Sequence, residues 1–234
     1  MNKSIVNWDN LFAQKDSFMN AKPFKFTFIE NVFDNNFYKE LYETYPKLDD
    51  TWDVVSTFTK SMYAKFWNIP DNESSQDTKS TFTKEWKDLQ IYINSEEFLS
   101  NIRKLTGTTV NRVKNFQFVL YKKGGFQLPH IHNVGPNTVI LMVYFSKGWK
   151  KGDAGGTYVA TEPDESKIIF EPYNLDNSLV IFQDSPKAAH GARIITKDVE
   201  RRALQIYLEE YDEENGWSGV DPHSKEFQSK LPEI

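Results

Sequence analysis

The pattern of hydrophobic and polar positions divides the chain into two parts, with a change near residue 111. Before this point, apolar residues recur at the three- and four-residue spacing of amphipathic helices. After it, short runs of β-branched and aromatic residues are separated by Gly, Pro, Asn and Asp, as in a succession of short strands. We therefore expect a single domain over 1–234, with a mixed helical region over 1–110, a β core over 111–211 and a polar cover or tail over 212–234.

Two helices are predicted in the N-terminal region. Asp34 precedes an apolar stripe at helical spacing that stops at Pro46, since proline cannot continue a helix. Asn94, with a glutamate three residues later, is typical of a capping box that opens a second helix, and Gly107 is in position to end it. The intervening segment 51–77 is rich in aromatic residues but shows neither the two-residue period of a strand nor the 3.6-residue period of a helix. We therefore expect strand and loop that partly cover a cleft.

Seven short strands are predicted in the second part of the chain. Short links join them, which favours a sandwich or jelly roll over alternating helices and strands. The predicted strands are 115–121, 138–145, 156–161, 167–172, 178–183, 192–196 and 202–211.

Composition narrows the chemistry that the chain can carry. Its formal net charge of -5 argues against binding nucleic acid through bulk electrostatics. Because there is no cysteine, disulfides, thiolate nucleophiles and zinc–thiolate sites are excluded, and His, Asp and Glu are the remaining metal ligands. No apolar stretch resembles a signal peptide or a membrane span, so we expect a cytoplasmic protein with no membrane or nucleic-acid partner.

Three of the four histidines form the clearest candidate site. His130 and His132 are two residues apart, so they would project from one face of a strand, and His190 follows another apolar run. Imidazole binds iron, zinc, copper and nickel, and a histidine from a facing strand can complete a three-sided site. The alternative is that His130 is a hydrogen-bonded histidine and His132 a surface residue, neither of which binds metal. His223, in the polar tail, is expected to be solvent-exposed.

The sequence around these histidines resembles the iron(II)- and 2-oxoglutarate-dependent dioxygenases, especially their prolyl-hydroxylase-like branch. The resemblance covers roughly Asn115 to Tyr211. Each motif alone is weak, but five of them occur in the order of the family and at suitable spacings. They are Tyr121 with Gly124 and Gly125, His130 with His132, Tyr144 with Trp149 and Gly155–Gly156, Phe182 with His190, and Arg201 with Ala203.

The resemblance implies a mainly β, α+β fold whose core is a double-stranded β-helix, a jelly roll of the cupin-like type. In this family a three-ligand iron(II) site leaves positions open for dioxygen and for 2-oxoglutarate, which is oxidised to succinate and CO2. By resemblance, Arg201, favoured over Arg202 by the family spacing, would hold the distal carboxylate of 2-oxoglutarate. Tyr121 and Tyr144 would donate hydroxyl groups, and Ala203 would complete the pocket. Ascorbate is a further candidate cofactor.

One position departs from the family pattern. The family's third metal ligand is an Asp or Glu two residues after the first histidine, and here that residue is His132. A neutral imidazole leaves the metal site one unit more positive and removes an anionic hydrogen-bond acceptor. Another carboxylate could take over, and the candidates are Asp153, Glu162 and Asp184.

Two other functions stay open. A cupin-type three-histidine dioxygenase would bind metal without 2-oxoglutarate, and Gly124 lies six residues before His130 as in the cupin motif. Asn137, however, occupies the position of the cupin glutamate. A β-helix that binds a ligand without catalysis is the second alternative.

The substrate of the predicted oxygenase, other than dioxygen, is not indicated by the sequence. Small molecules and peptide side chains are both processed on this scaffold, and specificity resides in loops. Hydroxylation is the simplest outcome. The residues predicted at the rim of the substrate pocket are Trp52, Trp67, Asn133 and Asn137.

Overall fold

The computed structural model describes residues 5–67, 82–132, 135, 137–212 and 216–217. The described chain forms five α-helices, a large antiparallel β-sheet and a small two-stranded ribbon. The helices are α1 (Trp8–Ala13), α2 (Lys15–Asn20), α3 (Asn35–Glu43), α4 (Lys84–Ile93) and α5 (Glu96–Thr106). The strands of the large sheet are β1 (Phe26–Glu30), β2 (Asp53–Ser56), β3 (Lys60–Phe66), β4 (Arg112–Tyr121), β5 (Phe126–His130), β6 (Val139–Phe145), β7 (Thr157–Ala160), β8 (Ile168–Phe170), β9 (Asp176–Gln183), β10 (Ala189–Ala192) and β11 (Arg201–Glu209). The ribbon consists of β12 (Tyr211–Asp212) and β13 (Gly216–Trp217).

Both predicted helices are confirmed, but the N-cap of the second helix lies one residue later than predicted. Asp34 caps α3, since its side chain accepts hydrogen bonds from two backbone N–H groups of the first turn. At α5 the cap is Ser95 rather than Asn94, and its hydroxyl accepts from the N–H of Phe98 at 3.3 Å. Gly107 ends α5 with φ of 70°, a left-handed conformation that a residue without Cβ adopts without strain. No helix of the described residues is long and apolar enough to cross a membrane.

The large sheet curls until its two edges meet. Its strand order is β1-β9-β6-β11-β4-β3-β5-β10-β7-β8, with β2 paired to β3 beside this path. The rings of Phe26 and Phe28 on β1 lie 6.0 and 5.7 Å from that of Phe170 on β8, centroid to centroid. The first and last strands of the path are therefore in side-chain contact, and the sheet encloses an interior. The predicted fold class, a mainly β jelly roll with N-terminal helices, is confirmed.

Strand alternation creates two cores, one outside and one inside the curled sheet. Leu204 and Ile206 on β11 pack with helix residues such as Trp86 in the outer core. Ala203 on the same strand lies in the inner core with Val180. Because successive strand residues point to opposite faces, the alternation directs Arg201, two residues before Ala203, to the interior.

The sheet includes strands from parts of the chain where the sequence predicted no regular strand. Three of its strands, β1, β2 and β3, come from the first 110 residues, and β1 lies outside every predicted strand. The strand predicted at 192–196 is wrong in position, since β10 is Ala189–Ala192. Its sequence, Ala-His-Gly-Ala, has no β-branched residue to announce a strand. Gly191 is required by close packing, because a Cβ there would lie 2.7 Å from the carbonyl oxygen of Gln127.

Candidate metal and co-substrate site

The structure brings His130, His132 and His190 together at the inner wall of the sheet. Of the described residues, these three form a group whose ligand-capable atoms all lie within 4.8 Å of one another. His130 ends β5 and pairs directly with His190 on β10. His132 lies two residues beyond the end of β5, and its Nε2 is 3.0 Å from that of His130. The cross-strand pair aligns two of the histidines, while the third comes from the segment that follows the strand.

Two of the three rings are fixed by backbone carbonyl groups. Nδ1 of His130 lies 3.1 Å, and Nδ1 of His190 2.8 Å, from the carbonyl oxygen two residues earlier in the chain. A carbonyl only accepts, so each Nδ1 carries the proton and each Nε2 keeps a lone pair that faces the cluster. His132 is different, because its Nδ1 and Nε2 lie 3.2 and 3.3 Å from the hydroxyl of Tyr207.

Burial keeps all three imidazoles neutral. It lowers the pKa of His130, and it lowers the pKa of His190 well below the ordinary histidine value. Burial also lowers the pKa of His132 to about 4, with smaller contributions from the repulsion that a protonated His130 would exert and from the charge of Lys60. Neutral imidazole is the form that binds metal, so the cluster has its lone pairs available at neutral pH.

The spacing of one pair of nitrogens fits a transition-metal ion. Two ligands that bind one ion at about 2.1 Å and at a right angle lie about 3.0 Å apart, which is the separation of the Nε2 atoms of His130 and His132. No carboxylate of the described chain joins this group. Asp153 is paired with Lys197 at the surface, Glu162 is exposed, and Asp184 is buried but is not a member of the histidine group.

Arg201 is a buried cation in the same interior. It is 1% exposed, its Nε donates to the carbonyl oxygen of Gly155 at 2.9 Å, and its Nη2 donates to Oγ1 of Thr157 at 2.9 Å. Its guanidinium lies 4.9 and 5.0 Å from the ring centroids of Tyr121 and Tyr144. No carboxylate in the described part of the chain forms an ion pair with it. A buried charge without a counter-charge is unfavourable, so this pocket suits an anion.

Two tyrosine hydroxyls and a small residue accompany Arg201. The backbone N–H of Thr157 donates to the hydroxyl of Tyr144 at 2.9 Å, which leaves the proton of that hydroxyl available. Tyr121 donates to Oε1 of Gln127 at 3.1 Å. Burial raises the pKa of Tyr144 and raises that of Tyr121 to about 12, so both remain donors. Ala203 lies opposite Tyr144 on the neighbouring strand and leaves space beside it.

Arg202 faces the other way, as strand parity requires. Its Nε and Nη2 donate to Oε2 of Glu200 at 2.9 and 2.6 Å. Of the two adjacent arginines, only Arg201 therefore reaches the interior.

A cavity of about 390 Å³ extends from the three histidines to side chains that contact Arg201, although Arg201 and Tyr144 do not line it themselves. The three histidines, Tyr121 and Thr157 line it, and this volume is in the range that holds a small ligand. Both apolar and polar side chains line it. The apolar residues are Val55, Met62, Ala64, Phe66, Val119, Ile140, Met142 and Phe182, and the polar residues include Asp53, Lys60, Lys114, Asn115, Gln117, Gln127 and Gln205.

Three of the four residues predicted at the rim do not line this cavity. Trp52 and Trp67 are 5% and 6% exposed and belong to the outer core beneath the helices. An aromatic side chain suits a core as well as a cleft, so the sequence did not separate the two. Asn137 donates to Glu210 at 2.6 Å instead of lining the cavity, and Asn133 lies outside the described residues.

Sequence reasoning missed several polar residues of the cavity, although the signal was present. Asn115 and Gln117 share the strand face of Tyr121, and Gln205 and Tyr207 share the face of Arg201. Polar side chains that repeat every second residue on the inner face of a buried strand indicate a site. Gln127 carried no such signal, because it lies three residues from His130.

Comparison with solved structures identifies the class of proteins that share this fold. No protein-family model and no curated protein matches the chain. Its structure is similar to a Pseudomonas putida prolyl-4-hydroxylase, with a TM-score of 0.61 and 14% identity over 85% of this chain and 97% of that one. It is also similar to HygX from Streptomyces hygroscopicus with nickel and 2-oxoglutarate bound, with a TM-score of 0.55 and 12% identity over 86% and 85%.

A third structure of the same class covers almost the whole chain. The α-ketoglutarate-dependent carbocyclase SnoK from nogalamycin biosynthesis has a TM-score of 0.58 and 13% identity, over 98% of this chain and 94% of that one. The protein therefore has the fold of the 2-oxoglutarate- and iron(II)-dependent oxygenases. The sequence resemblance to this superfamily, with its prolyl-hydroxylase-like branch, is confirmed at the level of the fold.

Proposed function

We propose that the protein is an iron(II)- and 2-oxoglutarate-dependent oxygenase that oxidises an organic substrate and releases succinate and CO2. One observation carries this proposal: Arg201, a buried cation without a carboxylate partner in the described chain, adjoins the cavity lined by three neutral histidines. The histidines alone would suit many metalloproteins. An additional buried site for an anion is what a 2-oxo acid with a second carboxylate requires.

The metal would be held by His130, His132 and His190 through their Nε2 atoms. When bound, iron(II) supplies the redox chemistry that couples dioxygen to oxidation of the 2-oxo acid and of the substrate. The protein contributes neutral ligands, because burial disfavours the protonated rings. It also contributes fixed orientation for His130 and His190 through their carbonyl partners.

The co-substrate would lie between the histidines and Arg201. Its distal carboxylate would accept hydrogen bonds from the guanidinium of Arg201 and the hydroxyl of Tyr144, which already accepts from a backbone N–H and has its own proton to donate. Its methylene groups would contact Met142 and Phe182, which line the same cavity. These apolar side chains exclude water from the space between the two ends of the co-substrate.

The substrate would enter the remainder of the cavity, which both polar and apolar side chains line. Structures with this fold include a prolyl-4-hydroxylase and a carbocyclase, so the fold serves more than one oxidative outcome. Hydroxylation of a small molecule or a peptide side chain is the simplest of these.

A three-histidine dioxygenase that does not use 2-oxoglutarate is the second candidate. The group of three neutral ligands without a carboxylate in the described residues favours it. Such an enzyme has no use for Arg201 and Tyr144, which distinguishes the two candidates.

The test is an anaerobic titration of the protein with iron(II) and then 2-oxoglutarate, followed by visible absorption, and then exposure to air. We expect a weak charge-transfer band only when both are present, and then dioxygen uptake with succinate above that of a metal-free control. A protein that binds iron(II) but gives neither the band nor succinate would support the second candidate instead.

A further inference from the structure

We propose that the organic substrate carries an anionic group, a carboxylate or a phosphate, and that the ammonium group of Lys60 binds it. This inference rests on the proposed function and names the chemical class of its substrate. Lys60 begins β3 and lines the cavity of the three histidines. An anion bound to Lys60 would therefore share this cavity with the metal.

Strand pairing places Lys60 beside the proposed metal end of the cavity. Its Cα pairs with that of Gln127 on β5, and the carboxamide of Gln127 lies 3.2 Å from Nε2 of His130. A β-bulge explains this contact, because Gln127 and His130 pair with Ala192 and His190 of β10, so that three steps on one strand match two on the other. Besides burial, the charge of Lys60 lowers the pKa of His130. Lys60 thus adjoins the proposed metal ligands.

The charge of Lys60 is not compensated within the described part of the chain. Its side chain forms no ion pair and no hydrogen bond with another described residue. Asp53 also lines the cavity, but it pairs with Ala64 on β3, four residues and about 13 Å along the strand from Lys60. The other lysine that lines the cavity, Lys114, is paired with Glu209 at 3.0 Å. Of these two lysines, Lys60 is the one available for an anionic ligand.

The occupied site would have an excess of positive charge. Iron(II) and 2-oxoglutarate carry equal and opposite charges, and burial keeps the three histidines neutral. Arg201 and Lys60 then each contribute one positive charge. A carboxylate ligand would offset one of them, but no carboxylate of the described chain joins the histidine group. A substrate anion beside Lys60 would reduce this excess, because opposite charges attract more strongly where water is excluded.

The walls of the cavity fit the remainder of an organic acid. Met62 and Phe66 share the strand face of Lys60 and line the cavity, where they offer an apolar surface to a carbon skeleton. Gln117 on β4 pairs with Gln205 on β11, and both line the same cavity. Their carboxamides can form hydrogen bonds with hydroxyl or amide groups of a substrate. The inferred substrate is therefore a small organic acid or phosphate ester with further polar groups.

The test compares matched probes on the zinc-loaded protein saturated with 2-oxoglutarate, with affinities measured by ligand-observed NMR titration. The probes are phenylacetate, phenyl phosphate and the neutral phenylacetamide. In the wild type, at least one anion should bind about tenfold or more tightly than the amide, and the tighter of the two distinguishes a carboxylate site from a phosphate site.

Variants assign the preference for anions to one side chain. In Lys60→Gln the affinities of anion and amide should agree within about twofold, whereas Lys60→Arg keeps the charge and should keep the preference. Lys114→Gln is the matched control, since it removes a cation of the same cavity that already has a carboxylate partner. It should retain the preference. If Lys60→Gln fails to fold by circular dichroism, Lys60→Met takes its place.

The outcomes separate this inference from the proposed function. If 2-oxoglutarate binds but neither anion binds more tightly than the amide, or if the preference persists in Lys60→Gln, the role of Lys60 is overturned and the proposed function is not. A wild-type protein that binds zinc but no 2-oxoglutarate would overturn the proposed function and, with it, this inference.

Discussion

The two ends of the candidate site hold their charged or imidazole groups in different ways. At one end, Arg201 and Tyr144 are almost completely buried, and their polar partners are the backbone of Gly155 and the backbone and side chain of Thr157. At the other end, His130 and His132 are only half-buried, and His132 lies beyond the end of its strand. The proposed co-substrate end is therefore preformed by the sheet, whereas the proposed metal end contains a candidate ligand, His132, whose position depends on neighbouring side chains.

A similar contrast divides the histidines themselves. Backbone carbonyls fix His130 and His190, while His132 has the hydroxyl of Tyr207 within reach of both ring nitrogens. Tyr207 in turn accepts from Gln205 at 3.0 Å. His132, which occupies the position of the family's carboxylate, is thus the least constrained of the three histidines. Its contribution to metal binding should be smaller and easier to change.

The largest effect is expected at the preformed end. Arg201→Met should weaken binding of 2-oxoglutarate to the cobalt-loaded protein roughly 100-fold or more, because it removes the buried positive charge. Cobalt affinity should stay unchanged, since Arg201 has no hydrogen bond to any of the three candidate ligands His130, His132 and His190. Calorimetry measures both affinities, and Arg202→Met, on the outer face, is the matched control. Equal affinities for 2-oxoglutarate in the wild type and Arg201→Met would contradict the proposal that the end with Arg201 is a preformed site for this co-substrate.

The second-largest effect should distinguish the contributions of the three histidines to cobalt affinity. His130→Ala and His190→Ala should each lower cobalt affinity roughly 100-fold, whereas His132→Ala should lower it only about tenfold, in line with a less constrained ligand. His132→Asp should bind at least as tightly as the wild type, because it supplies an anionic oxygen ligand. If His132→Asp abolishes metal binding while His132→Ala does not, the ligand assignment is wrong.

A smaller effect is expected from a change of Tyr207, whose hydroxyl contacts His132. Tyr207→Phe removes the hydroxyl that lies 3.2 Å from Nδ1 of His132, and loss of such an outer partner should lower cobalt affinity about tenfold at most. In a His132→Asp background the same change should have no effect, which visible absorption titrations can check. An equal loss in both backgrounds would mean that Tyr207 acts on something other than His132.

The smallest effect concerns stability at the preformed end. Tyr144→Phe leaves the buried N–H of Thr157 without its acceptor, and should lower the free energy of unfolding by about 1–3 kcal/mol. Tyr173→Phe, at an exposed position, is the control and should change it little. Urea denaturation gives both values. An unchanged stability of Tyr144→Phe would show that this end is less rigidly built than the comparison assumes.

The sequence was informative wherever a regular period holds. The alternation along β11 places Arg201 and Arg202 on opposite faces, although it was the family spacing that favoured Arg201, and the strand-rich pattern after residue 111 predicted the jelly roll. It failed where local structure breaks the period: the bulge brings Gln127 to the cavity, and His132 lies past the strand end. It also failed where two roles suit the same residue type, since Trp52 and Trp67 fill the outer core instead of lining a rim.

The central claim is that one cavity holds a metal on three histidines and a dicarboxylic co-substrate on Arg201. A crystal structure of the protein prepared without oxygen, with iron(II) and 2-oxoglutarate, tests it most directly. The account predicts the ion on Nε2 of His130, His132 and His190, and the distal carboxylate of 2-oxoglutarate on the guanidinium of Arg201. An ion bound elsewhere, or 2-oxoglutarate with its distal carboxylate on another cation such as Lys60, would contradict it.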